Sequence, residues 1–429
     1  MYWDKAHETM PRADLEALQL KRLRETVGAA GHSPFYRERL EQAGVAPESL
    51  KSLEDAARIP FTTKDDLRAQ GRALLCRPLE EMVRVHVSSG TTGQATVIYY
   101  TRADIEAWAD LVARSMYMAG LRAGDVFQNM MGYGLFTGGL GFHYGAERLG
   151  ALTIPAGPGN SRRQVQLMQQ FGTTAMHIIP SYALYLLTTC VSLEVDPRDL
   201  PLKLAFIGAE PHTEDMRRRI EAAYGLKAYN SYGLSELNGP GVAFECPEQN
   251  GLHVWEDHFL LEVINPQTLE PSPPGEVGEV VLTNLSRGGM PVLRYRTRDL
   301  AAVEPGVCPC GRTHRRISRI QGRTDDMLIV KGVNIFPMQI EGVLMAMPEV
   351  HTNYLVELTR ENFNDQMLVK VEVQEGFFRE ELKYLKSLQK KITEALKSEL
   401  LITPRVELVE PQTLPRSEGK ALRIVDLRN

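Results

Sequence analysis

The 429-residue chain has no apolar run that reaches the roughly 18 residues a membrane-spanning helix needs, so no membrane span is expected. Its N-terminal stretch also lacks the basic-then-apolar layout of a secretory leader. Neither sign of charge dominates. With 49 basic residues against 54 acidic ones, the net charge is -5 and is spread along the chain, which argues against a nucleic-acid surface. Cysteine is scarce: five residues, an odd number at irregular spacing, make no disulfide framework and suit a reducing cytoplasm. Internal repeats and low-complexity tracts are missing too. What is present is a chain too long for one ordinary core, and its length alone suggests two or three domains.

Apolar periodicity supplies a layout. Residues 13 to 30 carry helical spacing through Leu20, Leu23 and Val27. Strand-like runs at 83 to 87, 151 to 154 and 175 to 179 then alternate with helical stretches at 104 to 118, 161 to 171 and 182 to 193. This alternation predicts an α/β fold, with a large N-terminal domain over residues 1–322 built of parallel-type sheets covered by helices. From Gly251 the pattern changes to short strands between turns, which predicts a small β-rich subdomain at about 240–320. Residues 323–429 form a further unit, with strands at 350 to 357 and 366 to 373 and an amphipathic helix at 378 to 396. A mobile α+β C-terminal lid is expected there, since a unit of about a hundred residues can hold its own core. The glycine and acid pair at 322 to 326 mark its hinge.

Three stretches suggest chemistry on residue type alone. V-S-S-G-T-T-G-Q-A-T at 87 to 96 is rich in hydroxyls, and Gly90 and Gly93 can take positive φ, so backbone N–H groups can turn toward an anion. Such a loop is a phosphate nest or a solvated hairpin; it is not a Walker A loop, because the glycines are too close and no lysine follows. The segment from Gly132 to Gly145 interleaves Tyr133, Phe136 and Phe142 with glycines, as a flat apolar wall for an aromatic ring would, or as a closely packed helix would. Cys246, His253, Cys308 and Cys310 form a Cys₃His set suited to a structural Zn²⁺ without an open coordination position, with His258 or His314 as alternatives to His253. Reduced, unliganded cysteines are the competing reading.

Five stretches taken together resemble the motifs of the adenylate-forming superfamily of acyl- and aryl-CoA ligases, in that family's order. They are the 87 to 96 loop, I-G-A-E-P at 207 to 211, S-Y-G-L-S-E-L at 231 to 237, L-R-Y-R-T-R-D-L at 293 to 300 and G-R-T-D-D-M-L-I-V-K-G-V-N-I-F-P at 322 to 337. The 133 to 147 segment, E-D-H-F at 256 to 259 and R-S-E-G-K-A at 416 to 421 resemble the phenylacetate-CoA ligase branch. The resemblance implies an AMP-forming aryl-acid CoA ligase that uses ATP, Mg²⁺ and coenzyme A and acts as a homodimer. By the same resemblance Ser88, Ser89, Gly90, Thr91, Thr92 and Gly93 hold the triphosphate and Glu236 helps to bind Mg²⁺. Gly208, Ala209 and Glu210 form a turn against the adenine, on which Tyr232 stacks. Asp299 accepts the ribose hydroxyls and Arg323 contacts the sugar or the phosphates. Lys420 is the adenylation cation, Asp325 the hinge, and Lys331 with Gly332 the coenzyme A channel. Without the family, Tyr232 reads as a buried aromatic, Asp299 as a partner of Arg296 or Arg298, Gly332 as a hairpin glycine and Lys420 as a surface charge. Ala95 replaces the family's usual proline, which leaves the loop exit more flexible. The alternatives are a deazaflavin-adenylating synthetase of the same family and a non-catalytic nucleotide-binding regulator.

Overall fold

The computed structural model describes residues 1–88, 95–361, 364–378, 382–415 and 423–428. Strands β1 (Met82–Val87) and β2 (Val97–Thr101) form an antiparallel pair. Strands β3 (Val126–Asn129), β4 (Leu152–Ile154), β5 (Ala175–Ile178), β6 (Leu204–Gly208) and β7 (Lys227–Leu234) are all parallel where they pair, and they alternate with helices as the sequence pattern predicts. Their buried faces explain the near-continuous apolar runs, since helices cover a parallel sheet.

The stretch expected to be one β-rich subdomain is divided between two sheets. Strands β8 (Gly239–Glu245), β9 (Leu252–Val254), β13 (Val303–Glu304) and β14 (Arg316–Ile317) extend the parallel sheet antiparallel to nine strands, in the order β13-β14-β9-β8-β7-β6-β5-β3-β4. Strands β10 (Phe259–Ile264), β11 (Gly278–Asn284), β12 (Tyr295–Ala301) and β15 (Gly322–Arg323) form a separate sheet of four. Turn-separated strands in sequence did not reveal the split, because a strand's sheet depends on its partner.

Past β15 a hairpin of β16 (Leu328–Val330) and β17 (Val333–Ile335) leads to the helix Pro337–Met345. Strands β18 (Val350–Glu361), β19 (Asn364–Val373), β20 (Arg405–Val409) and β21 (Ile424–Asp426) form one sheet, packed with the helix Leu382–Leu400. This region has its own buried cluster, which includes Val330, Ile340, Val369 and Ile392. Among the described residues, no helix is long and apolar enough to cross a membrane.

The glycines of the 132 to 145 segment belong mainly to packing. Those from Gly138 onward lie in the helix Thr137–Leu149, which crosses the helix Arg102–Ala119 at close range. A Cβ on Gly141 would come within 2.5 Å of the Pro240 side chain and 2.6 Å of the Trp108 ring, and one on Gly145 within 2.6 Å of Val112. Gly141→Ala is therefore expected to lower the unfolding free energy by about 1–3 kcal/mol, the usual cost of overpacking, as measured by urea denaturation.

Candidate active site

The stem of the hydroxyl-rich loop is closed by Ser88 N–H donating to the Thr96 carbonyl at 3.0 Å. Ser89, Gly90, Thr91, Thr92 and Gly93 lie outside the described residues. The Ser88 and Thr96 hydroxyls are buried and have no hydrogen-bond partner among the described residues. Val87 N–H and His86 Nδ1 both donate to the Leu135 carbonyl, at 2.9 and 3.1 Å, so the loop stem and the aromatic segment are fastened together.

Next to this stem lie the C-terminal ends of β6 and β7, the usual place for a ligand on a parallel sheet. Gly208 pairs with Ser231, and a Cβ there would meet the Ser231 carbonyl at 2.5 Å. Ala209 follows at φ 65°, which turns the chain off the strand. Glu210 then accepts from Ser181 N–H at 2.7 Å.

Tyr232, Asp299 and Arg323 meet, although each comes from a different strand. The Tyr232 hydroxyl donates to Asp299 at 2.7 Å and Arg323 Nη1 donates to its other oxygen at 2.7 Å. Burial pushes the Asp299 carboxyl up to about 6 despite the opposing guanidinium. Neither Arg296 nor Arg298 is its partner: Arg296 binds Glu279 at 2.5 Å instead. Arg323 also holds Asp325 at 2.9 Å.

Glu236 is buried, 3.7 Å from Lys64 Nζ, and its backbone carbonyl accepts from Arg287 at 3.0 Å. Burial raises the phenol of Tyr295, and the nearby Glu236 carboxylate adds to that shift. Lys64, Arg287 and Tyr295 were not anticipated from sequence. Lys64 lies inside a Thr63–Asp66 capping box as the first residue of a helix, which gives no sign of the distant glutamate it approaches.

The aromatic wall is only partly as expected. Tyr133 accepts a hydrogen bond from Asn129 at 2.9 Å, and Phe136 is exposed. Phe142 is fully buried and stacks on His177 at 3.7 Å between centroids, among Phe127, Phe206 and Phe244, so its ring fills the core. Burial pushes the His177 imidazole down to about 3 and keeps it neutral.

Lys331 and Gly332 form the two-residue turn of the β16–β17 hairpin, both at positive φ. The hairpin reading of Gly332 thus describes its local structure. Lys420 lies outside the described residues.

A second cluster lies at the far end of the sheet. Cys246, His253, Cys308 and Cys310 bring one donor atom each within 4.8 Å of one another. Cys246 Sγ is 3.6 Å from Cys308 Sγ, and Cys310 Sγ is 3.3 Å from His253 Nε2. His253 Nδ1 donates to the His314 carbonyl, which leaves Nε2 facing the thiols. His258 binds Ser286 and His314 accepts from Glu256 N–H, so neither alternative histidine belongs to the set. The N-terminus covers this loop: Tyr2 donates to the Cys310 carbonyl at 3.0 Å, and buried Glu8 pairs with Arg312 at 2.7 Å.

A family model described as AMP-binding enzyme matches residues 19–286, and one described as AMP-binding enzyme C-terminal domain matches residues 332–428. The chain belongs to the AMP-binding enzyme family. The phenylacetate-coenzyme A ligase of Thermus thermophilus is 46% identical to this AMP-binding enzyme over 444 residues, covering 100% of both chains. The solved structure of 2-hydroxyisobutyryl-CoA ligase in its postadenylation state is 33% identical, covers 100% of this chain and 92% of its own, and superposes with a TM-score of 0.94. The same ligase in its thioesterification state, 35% identical with the same coverage, gives 0.74.

In this AMP-binding enzyme, Arg323→Ala would leave the buried Asp299 carboxylate with Tyr232 alone. Breaking a buried pair on one side costs about 3 kcal/mol or more at neutral pH. Burial already holds the Asp299 proton more tightly in the folded than in the unfolded chain, and removing Arg323 raises its carboxyl further. The loss should therefore shrink as pH falls through 6 and Asp299 is protonated. Denaturation at several pH values and a carboxyl NMR titration check both parts.

Proposed function

We propose that this chain is a phenylacetate-CoA ligase that works through an acyl adenylate. Similarity to a ligase of that name along the full length of both chains carries the reading. In the first half-reaction a phenylacetate oxygen attacks the α-phosphorus of ATP and pyrophosphate leaves. In the second, the coenzyme A thiolate attacks the acyl carbon, the acyl–phosphate bond breaks and AMP leaves.

In this reading Tyr232 supplies a ring face to the adenine beside the Gly208–Ala209–Glu210 turn. Asp299, with two oxygens close to that ring, accepts the ribose hydroxyls, and Arg323 holds the carboxylate in place. The 88 to 93 loop takes the phosphates. The Ser88 and Thr96 hydroxyls, buried and without a partner among the described residues, support that assignment. Buried Glu236 has the oxygen donors that suit Mg²⁺, which when bound neutralises phosphate charge. Lys420 meets the charge that develops at the α-phosphate. Tyr133 and exposed Phe136 face the acid; Asp325 acts as hinge and Lys331–Gly332 lines the thiol route.

Phenylacetate- and CoA-dependent AMP release tests the activity; AMP transfer without a CoA requirement would favour the deazaflavin alternative, and no turnover the regulator. Lys420→Ala is expected to slow adenylate formation at least about a hundredfold, the scale of losing a preorganised charge stabiliser, and to leave thioester formation from phenylacetyl adenylate nearly unchanged. Rapid-quench assays of the two half-reactions check this.

The Cys₃His cluster fits a structural Zn²⁺, because four donors of the right kind converge and the His314 carbonyl orients the His253 ring. Protein purified without added metal should carry about one zinc per chain, and Cys308→Ser should lose it together with several degrees of melting temperature. Cys190→Ser should keep the metal. Elemental analysis and calorimetry provide the readouts.

A further inference from the structure

Arg219 reaches from one domain to cap a helix of the other. It lies on the helix Glu214–Tyr224, and its Nη2 donates to the carbonyls of Met345 and Met347, both at 2.7 Å, while Nη1 donates to Val350 at 3.2 Å. The helix Pro337–Met345 ends at the first of these carbonyls, and the other two lie in the turn that follows it. The last carbonyls of a helix have no partner within it and carry the negative end of its dipole, so a guanidinium satisfies them well. No carboxylate pairs with Arg219 among the described residues, and burial lowers its pKa with only Asp215 opposing. Its charge is thus directed at the C-terminal domain rather than at its own.

The surrounding contact is polar. Glu341, on the capped helix, is buried, accepts from Tyr354 at 3.2 Å and faces Thr213 and Glu210 of the N-terminal domain. Interfaces of this kind separate at lower cost than apolar ones. The domain arrangement is the one that superposes at 0.94 on the postadenylation structure and at 0.74 on the thioesterification structure of the same ligase. Three bonds to carbonyls spaced from 345 to 350 share one guanidinium, so turning the domain away breaks them together.

We propose that Arg219 is a positioning residue that holds the C-terminal domain in the pose used for adenylate formation and releases it for the thioester step. This rests on the ligase reading above. Arg219 touches neither substrate in that reading. It acts through the domain that carries Lys420.

The test uses the full-length enzyme with Arg219→Ala and Arg219→Lys. Adenylate formation without CoA should fall by about tenfold or more in Arg219→Ala, the scale of losing one charge-assisted hydrogen bond. Thioester formation from supplied phenylacetyl adenylate should hold or rise, and Arg219→Lys should recover part of the first step. Equal slowing of both half-reactions, or an unchanged first one, overturns the proposal. Small-angle scattering reads the domain pose without any activity. Arg219→Ala should depart from the wild-type curve and Arg219→Lys should return toward it; identical curves for Arg219→Ala and wild type overturn the proposal. If wild type forms no phenylacetyl-CoA while the curves still differ, the ligase reading fails and the latch stands.

Discussion

One buried carboxylate, that of Asp299, joins the parts on which the site depends. Its two oxygens are shared between Tyr232 on the nine-stranded sheet and Arg323 on the last strand before the C-terminal domain. A carboxylate this deep persists only because both oxygens are engaged, and even so burial keeps its pKa above the usual range. The two sheets are thereby held in register where the parallel strands end. Arg323 extends the chain of charge to Asp325, so a ligand that competes for Asp299 also alters what restrains the start of the C-terminal domain.

Much of the fold was legible because local periodicity reports it. The 104 to 118 and 161 to 171 stretches show 3.6-residue spacing and are helices in the structure, and the apolar runs at 151 to 154 and 175 to 179 are the parallel strands β4 and β5. Pairing between distant segments leaves no such trace. Taken without the family resemblance, Asp299 has Arg296 and Arg298 as its nearest cations in sequence, but strand pairing places Arg323 directly across from it. Lys64 and Glu236, or Arg219 and the carbonyls near Met345, belong to segments whose meeting depends on the whole topology. The Cys₃His set was readable because its donor types are rare in this chain, whereas the choice among three histidines required the backbone.

The 132 to 145 segment illustrates one pattern with two physical meanings. Glycine beside aromatics suits close approach of a ligand and close approach of another helix equally well. Here the segment divides along its length: Gly141 and Gly145 admit Trp108 and Val112, Phe142 enters the core, and Phe136 stays exposed. The helix packing and the wall therefore share a backbone, and a change in one displaces the other.

The covering of the cysteine loop by the first eight residues has a kinetic meaning. The Tyr2 hydroxyl holds the Cys310 carbonyl, while Glu8 accepts from the backbone of Trp3 and Asp4 and pairs with Arg312. Of the four donors only the Cys310 thiol is half-exposed, so a reagent arriving from solvent meets it before Cys246 or Cys308. Loosening the contacts at Tyr2 and Glu8 would free that loop at far less cost than unfolding the sheet beneath it, so the order in which the thiols react is set by this local opening.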